Sequence, residues 1–318
     1  MGLKSDSNTL YQIVREIRPR QWVKNLFVFG AIVLGGRLFD PTAFLQTVGA
    51  FFAFSFVASF TYILNDIVDI EKDKLHPIKS NRPIASGKLG VKFATVVAFI
   101  FLISSFFTAI FVNEYLFYII LAYVVLQFAY SFKLKNYIII DALTVSLGFI
   151  FRVIAGGVAS ETSISSWLIL SVIGLSLLLA FGKRRAERTV LSSKNIDLKT
   201  RSTLRNYPDT LLDAMISMSA AFTMISYALF TFQTSPSTET PAIIANLVPS
   251  QLSAPKWMML TIPIIIYIVG RYLYVIYENK NAESPERALF EDKPLLVSVA
   301  IWGLSILFFY YVLGTVNL

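Results

Sequence analysis

The sequence predicts an all-α, polytopic membrane protein, and three observations carry that reading. Of 318 residues, 55% are hydrophobic and 15% charged, with a mean hydropathy of +0.64, too apolar for a soluble domain of this length. Several runs exceed the roughly 18 residues that suggest a bilayer-spanning helix. The basic residues, finally, gather in alternate loops, as they do in chains that cross a membrane repeatedly.

Residues 1–24 are polar and basic, with Lys4, Arg15, Arg18, Arg20 and Lys24. They predict a cytoplasmic helix lying at the interface, with Trp22 as its anchor. The apolar run that follows leads into no small-residue cleavage pattern, so it does not read as a cleavable signal. About nine spans are then expected, near residues 25–38, 43–70, 91–112, 115–132, 138–158, 164–182, 209–233, 257–277 and 294–314. One set of loops holds Lys72, Lys74, Lys79, Arg82 and Lys88, then Lys133 and Lys135, then the run from Lys183 to Arg205, then Lys280, Arg287 and Lys293. The opposite side has little more than Arg37 and Lys256. The positive-inside rule therefore places the N-terminus and the long charged loops in the cytoplasm and the C-terminus outside. The net charge of +8 is an orientation signal and needs no nucleic-acid partner. Cysteine is absent and histidine single, which excludes disulfides, thiolate metal sites and a multi-histidine zinc site. The Pro-rich stretch 235–256 reads as an ordered cap or a loose external loop. No short-period repeat appears, and one domain over 1–318 is the simplest organisation.

The stretch Leu64–Gly87, LNDIVDIEKDKLHPIKSNRPIASG, concentrates the chemistry. Asn65, Asp66, Asp69 and Asp73 close the second span, and on a helix the offsets of three and four put the three carboxylates on one face. Like charges at that spacing repel unless a cation sits between them. Oxygen ligands suit a hard ion such as Mg²⁺, which keeps waters and bridges to substrate phosphates. A solvated acidic helix end is the competing reading; the asparagine, the membrane setting and the basic turn argue against it. That turn holds His76, Lys79 and Arg82, with Pro77 and Pro83 to stop the helix and fold the loop back. Lys79 and Arg82 are then within reach of phosphates, Arg through forked contacts and Lys as a point charge.

Asp141 and Arg152 lie inside an apolar segment, where an ionisable side chain costs roughly 2.5–3.5 kcal/mol. They are three helical turns apart, cannot pair directly on one straight helix, and each requires another partner. Asp141, near the cytoplasmic entry, is expected to join a polar chamber. Gly156–Gly157 marks close helix packing or a helix end. The sixth span ends in LLLAFGKRRAERT, where Lys183, Arg184 and Glu187 either supply positive charge to that chamber or simply flank the span.

NDIVDIEKD (65–73) closely resembles the first aspartate-rich motif of the UbiA-type intramembrane prenyltransferase superfamily, and the nine-span, N-in arrangement agrees over nearly the whole chain. The resemblance implies a UbiA-like bundle around a central lipid-accessible cavity, with diphosphate bound through Mg²⁺ above it. Where the aromatic prenyltransferases carry a second aspartate motif, at the end of the sixth span, this chain has Gly182-Lys183-Arg184-Arg185-Ala186-Glu187. That departure looks like the branch that transfers phosphoribose to polyprenyl phosphates. Further stretches support it: IRPRQWVKN (17–25), YSFKLK (130–135), FRVIAGGVA (151–159) and RYLYVIY with SPERALFEDKPLL (271–296). The branch implies a phosphoribosyl diphosphate donor, a decaprenyl-type polyprenyl phosphate acceptor and Mg²⁺, in an early step toward a lipid-linked pentose for envelope glycans. Asp66 and Asp69 would be catalytic, with Asn65 and Asp73 completing the metal set. Lys79, Arg82, Lys183 and Arg184 would hold phosphates, and Lys24, Tyr130, Lys135 and Asp141 would line the chamber. Membrane lipids are the expected surroundings, and a homo-oligomer stays open. Two alternatives compete. A prenyltransferase acting on an aromatic or lipid acceptor would need a second acidic cluster, for which Glu187 is the only candidate. A transporter would carry its charges near the midplane, whereas here they gather at one face.

Overall fold

The computed structural model describes residues 3–75, 79–193, 207–234, 256–278 and 285–313. His76, Pro77, the basic residues from Lys194 to Arg205, Lys280 and nearly all of the 235–256 stretch lie outside the described residues. Among the described residues every regular element is helical, and eight helices are long and apolar enough to cross a membrane. Among the described residues the chain divides into two compact units, the first built from residues up to Ile32 and from Leu38 to Thr162, the second from residues 33–37, 163–193 and 207 onward.

In the first unit, α1 (Leu3–Ile17) precedes a 3₁₀ segment (Pro19–Phe29) and a short α2 (Gly30–Leu34). Helix α3 (Pro41–Val68) starts at Asp40, whose carboxylate accepts from the Thr42 and Ala43 amides at 3.0 and 3.1 Å, with Pro41 in the first turn. Such a cap is worth about 1 kcal/mol and fixes where the helix begins. After a five-residue α4 (Ile70–Lys74) come α5 (Val91–Val112), α6 (Glu114–Phe132) and α7 (Ile140–Ala159). Helix α3 lies against α5 through small residues. A Cβ on Gly49 would stand 2.4 Å from the Val112 side chain, Ala50, Ala53, Ala94 and Ala98 are buried, and Ser105 donates to the Ala53 carbonyl at 2.8 Å. Close backbone approach of this kind holds helices together where lipid removes the hydrophobic drive.

The first expected span takes a different form. Instead of an α-helix over 25–38, the chain runs as 3₁₀ helix over 19–29 and as α-helix over 30–34. It opens at Arg18 in the left-handed region (φ 52°), followed by Pro19, and Gly36 at φ 75° ends the excursion. The segment accompanies α3 in the opposite direction. Trp22 donates to Ser59 at 3.1 Å, Asn25 to Ser55 at 3.0 Å, and the Phe29 ring lies about 6 Å from Phe51 and Phe44. At about 2 Å per 3₁₀ residue and 1.5 Å per α residue, residues 19–34 cover about 30 Å, the thickness of a hydrocarbon core. The segment is therefore long enough to serve as a ninth crossing, in a tighter coil than the eight long helices found among the described residues. Trp22 is half-buried and ties the segment to α3 through its indole N–H on Ser59. Gly156 explains why α7 fits against this segment: a Cβ there would fall 1.7 Å from the Val28 carbonyl oxygen.

The second unit contains α8 (Ser166–Ser193), α9 (Asp209–Thr234), α10 (Ile262–Glu278, entered by a 3₁₀ turn from Trp257), α11 (Pro285–Glu291) and α12 (Lys293–Leu307, continued as a π turn). Helices α8 and α9 meet at Gly174, where a Cβ would lie 2.7 Å from Thr223 Oγ1 and 2.8 Å from its backbone nitrogen. Tyr227 links three elements, its hydroxyl 2.6 Å from Thr261 and accepting from the Trp302 indole at 2.8 Å. Asp292 caps α12 through the Leu295 amide at 2.9 Å and pairs with Arg271 at 2.8 Å. Helix α8 runs beyond the expected end at 182, because KRRAER is made of strong helix formers and continues the coil.

Candidate active site

The acidic stretch sits where α3 stops. Val68 ends that helix, Asp69 (φ −98°, ψ 14°) is the joint, and α4 resumes at Ile70. This break corrects the expectation of three carboxylates on one face. Asp66 and Asp73 turn the same way and share Arg82, whose Nη1 lies 2.8 Å from Asp66 and 2.5 Å from Asp73. Asp69 turns to Lys135, which donates to both its oxygens at 2.7 and 2.9 Å. A continuous helix would stack three like charges; here Asp66 and Asp73 share one arginine and Asp69 has Lys135 to itself. Asp66 and Asp73 are nearly buried and Asp69 is about a quarter exposed.

Arg82 reaches this position because the loop folds back. Its amide donates to the Lys79 carbonyl at 2.9 Å, and the Pro83 carbonyl accepts from Leu89 at 3.0 Å. Asn65, one residue before Asp66, accepts from Ser131 at the end of α6 at 2.6 Å.

Two residues of the N-terminal segment complete the cluster. Arg18 donates through Nη2 to Asp66 Oδ2 and lies over the Tyr62 ring, 5.3 Å from its centroid. Glu16 is buried, 1% exposed. Burial above all, then the negative charge of Asp66 and a hydrogen bond to it, push the Glu16 carboxyl up to about 8. Near neutral pH it therefore carries its proton, next to the ionised Asp66. Burial also raises Asp73, against the pull of Arg82 and Lys79.

Among the described residues no three acids form a preassembled metal cluster. A Mg²⁺ ion, however, characteristically takes one or two carboxylates and completes its shell with water and substrate phosphate. Asp66 and Asp73 converge on one point, the position of Arg82 Nη1, and two carboxylates so placed are the oxygen donors such an ion takes.

With this geometry in place, the chain can be set beside known proteins. Its sequence matches the UbiA prenyltransferase family over residues 26–292. The chain belongs to that family. It is 33% identical to the decaprenyl-phosphate phosphoribosyltransferase of Corynebacterium glutamicum over 95% of this chain and 87% of that protein. The decaprenyl-phosphate phosphoribosyltransferase of Mycolicibacterium smegmatis is 31% identical over 93% of this chain and 91% of that protein. The fold is that of a UbiA homolog from Archaeoglobus fulgidus solved with GPP and Mg²⁺, with a TM-score of 0.67 at 18% identity over 93% of this chain and 98% of that one. The chain is accordingly a multi-pass membrane transferase of the UbiA family.

In this UbiA-family chain, the first unit brings Asp66, Asp73 and Arg82 into direct contact, sets Asn65 next to them on Ser131, and pairs Asp69 with Lys135. Lys79 lies in the turn preceding Arg82 and acts on Asp73 electrostatically. Lys24 is half-buried in the 3₁₀ segment, and Tyr130 half-buried beside Ser131. Asp141 is buried in the first turn of α7 and accepts from the Ala142 amide at 2.8 Å. Arg152 does find partners other than Asp141: Asn25 at 2.7 Å, the Gly148 carbonyl at 2.7 Å and Tyr123 at 3.2 Å, among the rings of Tyr123, Phe149 and Phe54. Lys183 and Arg184 belong to the second unit, where Arg184 is buried and lies 3.3 Å from Glu187. Their neighbours hold the start of α9, Arg185 to Asp213 at 2.9 Å and Arg188 to Asp209 at 2.7 Å. Sequence reasoning passed over Glu16, Arg18 and Ser131 as site residues. Arg18 had a signal, since it lies within IRPRQWVKN; Glu16 and Ser131 had none.

Proposed function

We propose that this chain transfers a 5-phosphoribosyl group from phosphoribosyl diphosphate to a polyprenyl phosphate of decaprenyl type, releasing diphosphate, at the cytoplasmic face of the cell membrane. The observation that carries the reading is the similarity to proteins named decaprenyl-phosphate phosphoribosyltransferase, which extends over nearly the full length of both partners. The site chemistry supports it. Asp66 and Asp73 would hold the Mg²⁺ ion, with Asn65 orienting Asp66 and Asp69 contributing next to Lys135. Bound there, the ion would supply positive charge to a departing diphosphate. Arg82 and Lys79, already beside these acids, would receive phosphate oxygens, Arg82 by its planar fork. Lys24, Tyr130, Lys135, Asp141, Lys183 and Arg184 are assigned as further contacts to the two phosphorylated substrates.

In the reaction the bond from the anomeric carbon to the diphosphate oxygen breaks, its electron pair leaving with the diphosphate. An oxygen of the lipid phosphate donates the pair that forms the new bond from the opposite face. The nucleophile is already an anion, so no general base is required, in keeping with a site made of acids, arginines and lysines.

The test supplies membranes carrying the chain with labelled phosphoribosyl diphosphate and polyprenyl phosphate, and separately with a prenyl diphosphate and 4-hydroxybenzoate. A labelled phosphoribosyl lipid from the first pair is expected. Product from the second pair alone would replace the proposal with aromatic prenyl transfer.

A further inference from the structure

We infer that Arg18 is a phosphate-binding residue of the donor site, reached by exchanging Asp66 for a phosphate oxygen when a divalent cation takes that carboxylate. The inference rests on the proposed role of Asp66 in holding the cation. Both oxygens of Asp66 accept from guanidinium groups, Oδ1 from Arg82 at 2.8 Å and Oδ2 from Arg18. A cation at Asp66 draws on the same lone pairs, so metal and guanidinium compete for them. Arg82 has a second carboxylate to stay with, Asp73 at 2.5 Å. Among the described residues Arg18 hydrogen-bonds to Asp66 and to no other carboxylate; it also lies over the Tyr62 ring and feels the Glu16 carboxyl electrostatically. Of the two arginines, Arg18 is therefore the one the cation releases.

The released group stays within side-chain reach of a cation whose other ligands are phosphate oxygens, and its fork matches phosphate as it matches carboxylate. The backbone supports a positioned role. Arg18 sits at φ 52°, ψ 61° directly before Pro19. For a residue with a side chain the left-handed region costs about 1–2 kcal/mol, and a following proline further disfavours helical conformations. Strain of this kind persists where a side chain must be aimed. A plain tie between α1 and α3 is the alternative, and it predicts different binding data.

Arg18→Gly separates the two, because glycine adopts φ 52° without strain and only the side chain is lost. Arg18→Lys keeps the charge and loses the fork. The purified full-length chain in nanodiscs is titrated with Mn²⁺ alone, read by electron paramagnetic resonance, and then with labelled phosphoribosyl diphosphate at saturating Mn²⁺. Thermal unfolding is recorded alongside. Arg18→Gly is expected to bind Mn²⁺ about tenfold more tightly without donor and the donor about tenfold more weakly. Arg18→Lys is expected to weaken the donor with little change in Mn²⁺ affinity. Unchanged or weakened Mn²⁺ binding in Arg18→Gly, or unchanged donor affinity, overturns the exchange and leaves Arg18 as a tie. If Arg18→Gly fails to fold, the donor affinity of Arg18→Lys decides in the same way. Asp66→Asn is the control for the underlying role. Mn²⁺ binding that survives in Asp66→Asn removes the assignment of Asp66. Loss in Asp66→Asn together with wild-type behaviour of Arg18→Gly removes only the exchange.

Discussion

Asp66 and Asp73 are joined by one atom, Arg82 Nη1, which lies 2.8 Å from the first carboxylate and 2.5 Å from the second. Removing that guanidinium leaves Asp73 without its arginine while Asp66 keeps Arg18. Because Arg82 is 27% exposed, the cost falls below the roughly 3–5 kcal/mol of a fully buried pair. Arg82→Met should lower the thermal unfolding temperature in detergent, and Mg²⁺ should restore part of the loss by replacing the missing charge. An unfolding temperature equal to wild type would show that Arg82 does not hold the two acids.

The joint at Asp69 makes the acids unequal. Asp69 and Lys135 are partly exposed, and an ion pair of that kind contributes about 1 kcal/mol or less. Asp66→Asn takes from Arg18 its carboxylate and leaves Arg82 with Asp73 alone, and should cost several times more than Asp69→Asn. Chemical denaturation of the two variants gives the order directly; the reverse order would mean the acids are not divided at residue 69.

Gly156 allows α7 to meet the 3₁₀ segment at backbone distance. With a Cβ 1.7 Å from the Val28 carbonyl oxygen, Gly156→Ala must push main chain against main chain, and overpacking costs about 1–3 kcal/mol or more. Gly30→Ala, where nothing lies within 4 Å of the added carbon, should be tolerated. Comparing the yield of folded protein and the unfolding temperature of the two variants checks the claim.

Arg152 acts through its shape as well as its charge. Its fork reaches Asn25, Gly148 and Tyr123 at once, and a lysine can serve only part of that set. Arg152→Lys should destabilise by about 1–3 kcal/mol, since buried groups lose charge-assisted partners. A stability equal to wild type would show that charge alone suffices there.

Much of this was legible in the sequence because hydropathy is local. Expected spans such as 91–112 and 209–233 match the helices Val91–Val112 and Asp209–Thr234 within a residue. The apolar run 25–38 gave no sign of 3₁₀ geometry, because its path depends on Ser55, Ser59 and Gly156, which lie far off in the chain. In the acidic stretch the residues themselves were readable but the division between Asp66 and Asp69 was not. A helical spacing rule assumes an unbroken helix, and the joint at Asp69 breaks it. Arg82 was legible as a nearby base behind a proline. Arg18 and Glu16 approach Asp66 from about 50 residues earlier, a distance that no local pattern encodes.

Diphosphate release by the purified chain, followed with labelled phosphoribosyl diphosphate and polyprenyl phosphate while Mg²⁺ is added to metal-stripped wild type and to Asp66→Asn, goes straight to the heart of the account. Wild type should turn over only once Mg²⁺ is present, and Asp66→Asn should stay at least a hundredfold slower while keeping its helical content. Equal rates in the two proteins, or wild-type turnover indifferent to Mg²⁺, would contradict it.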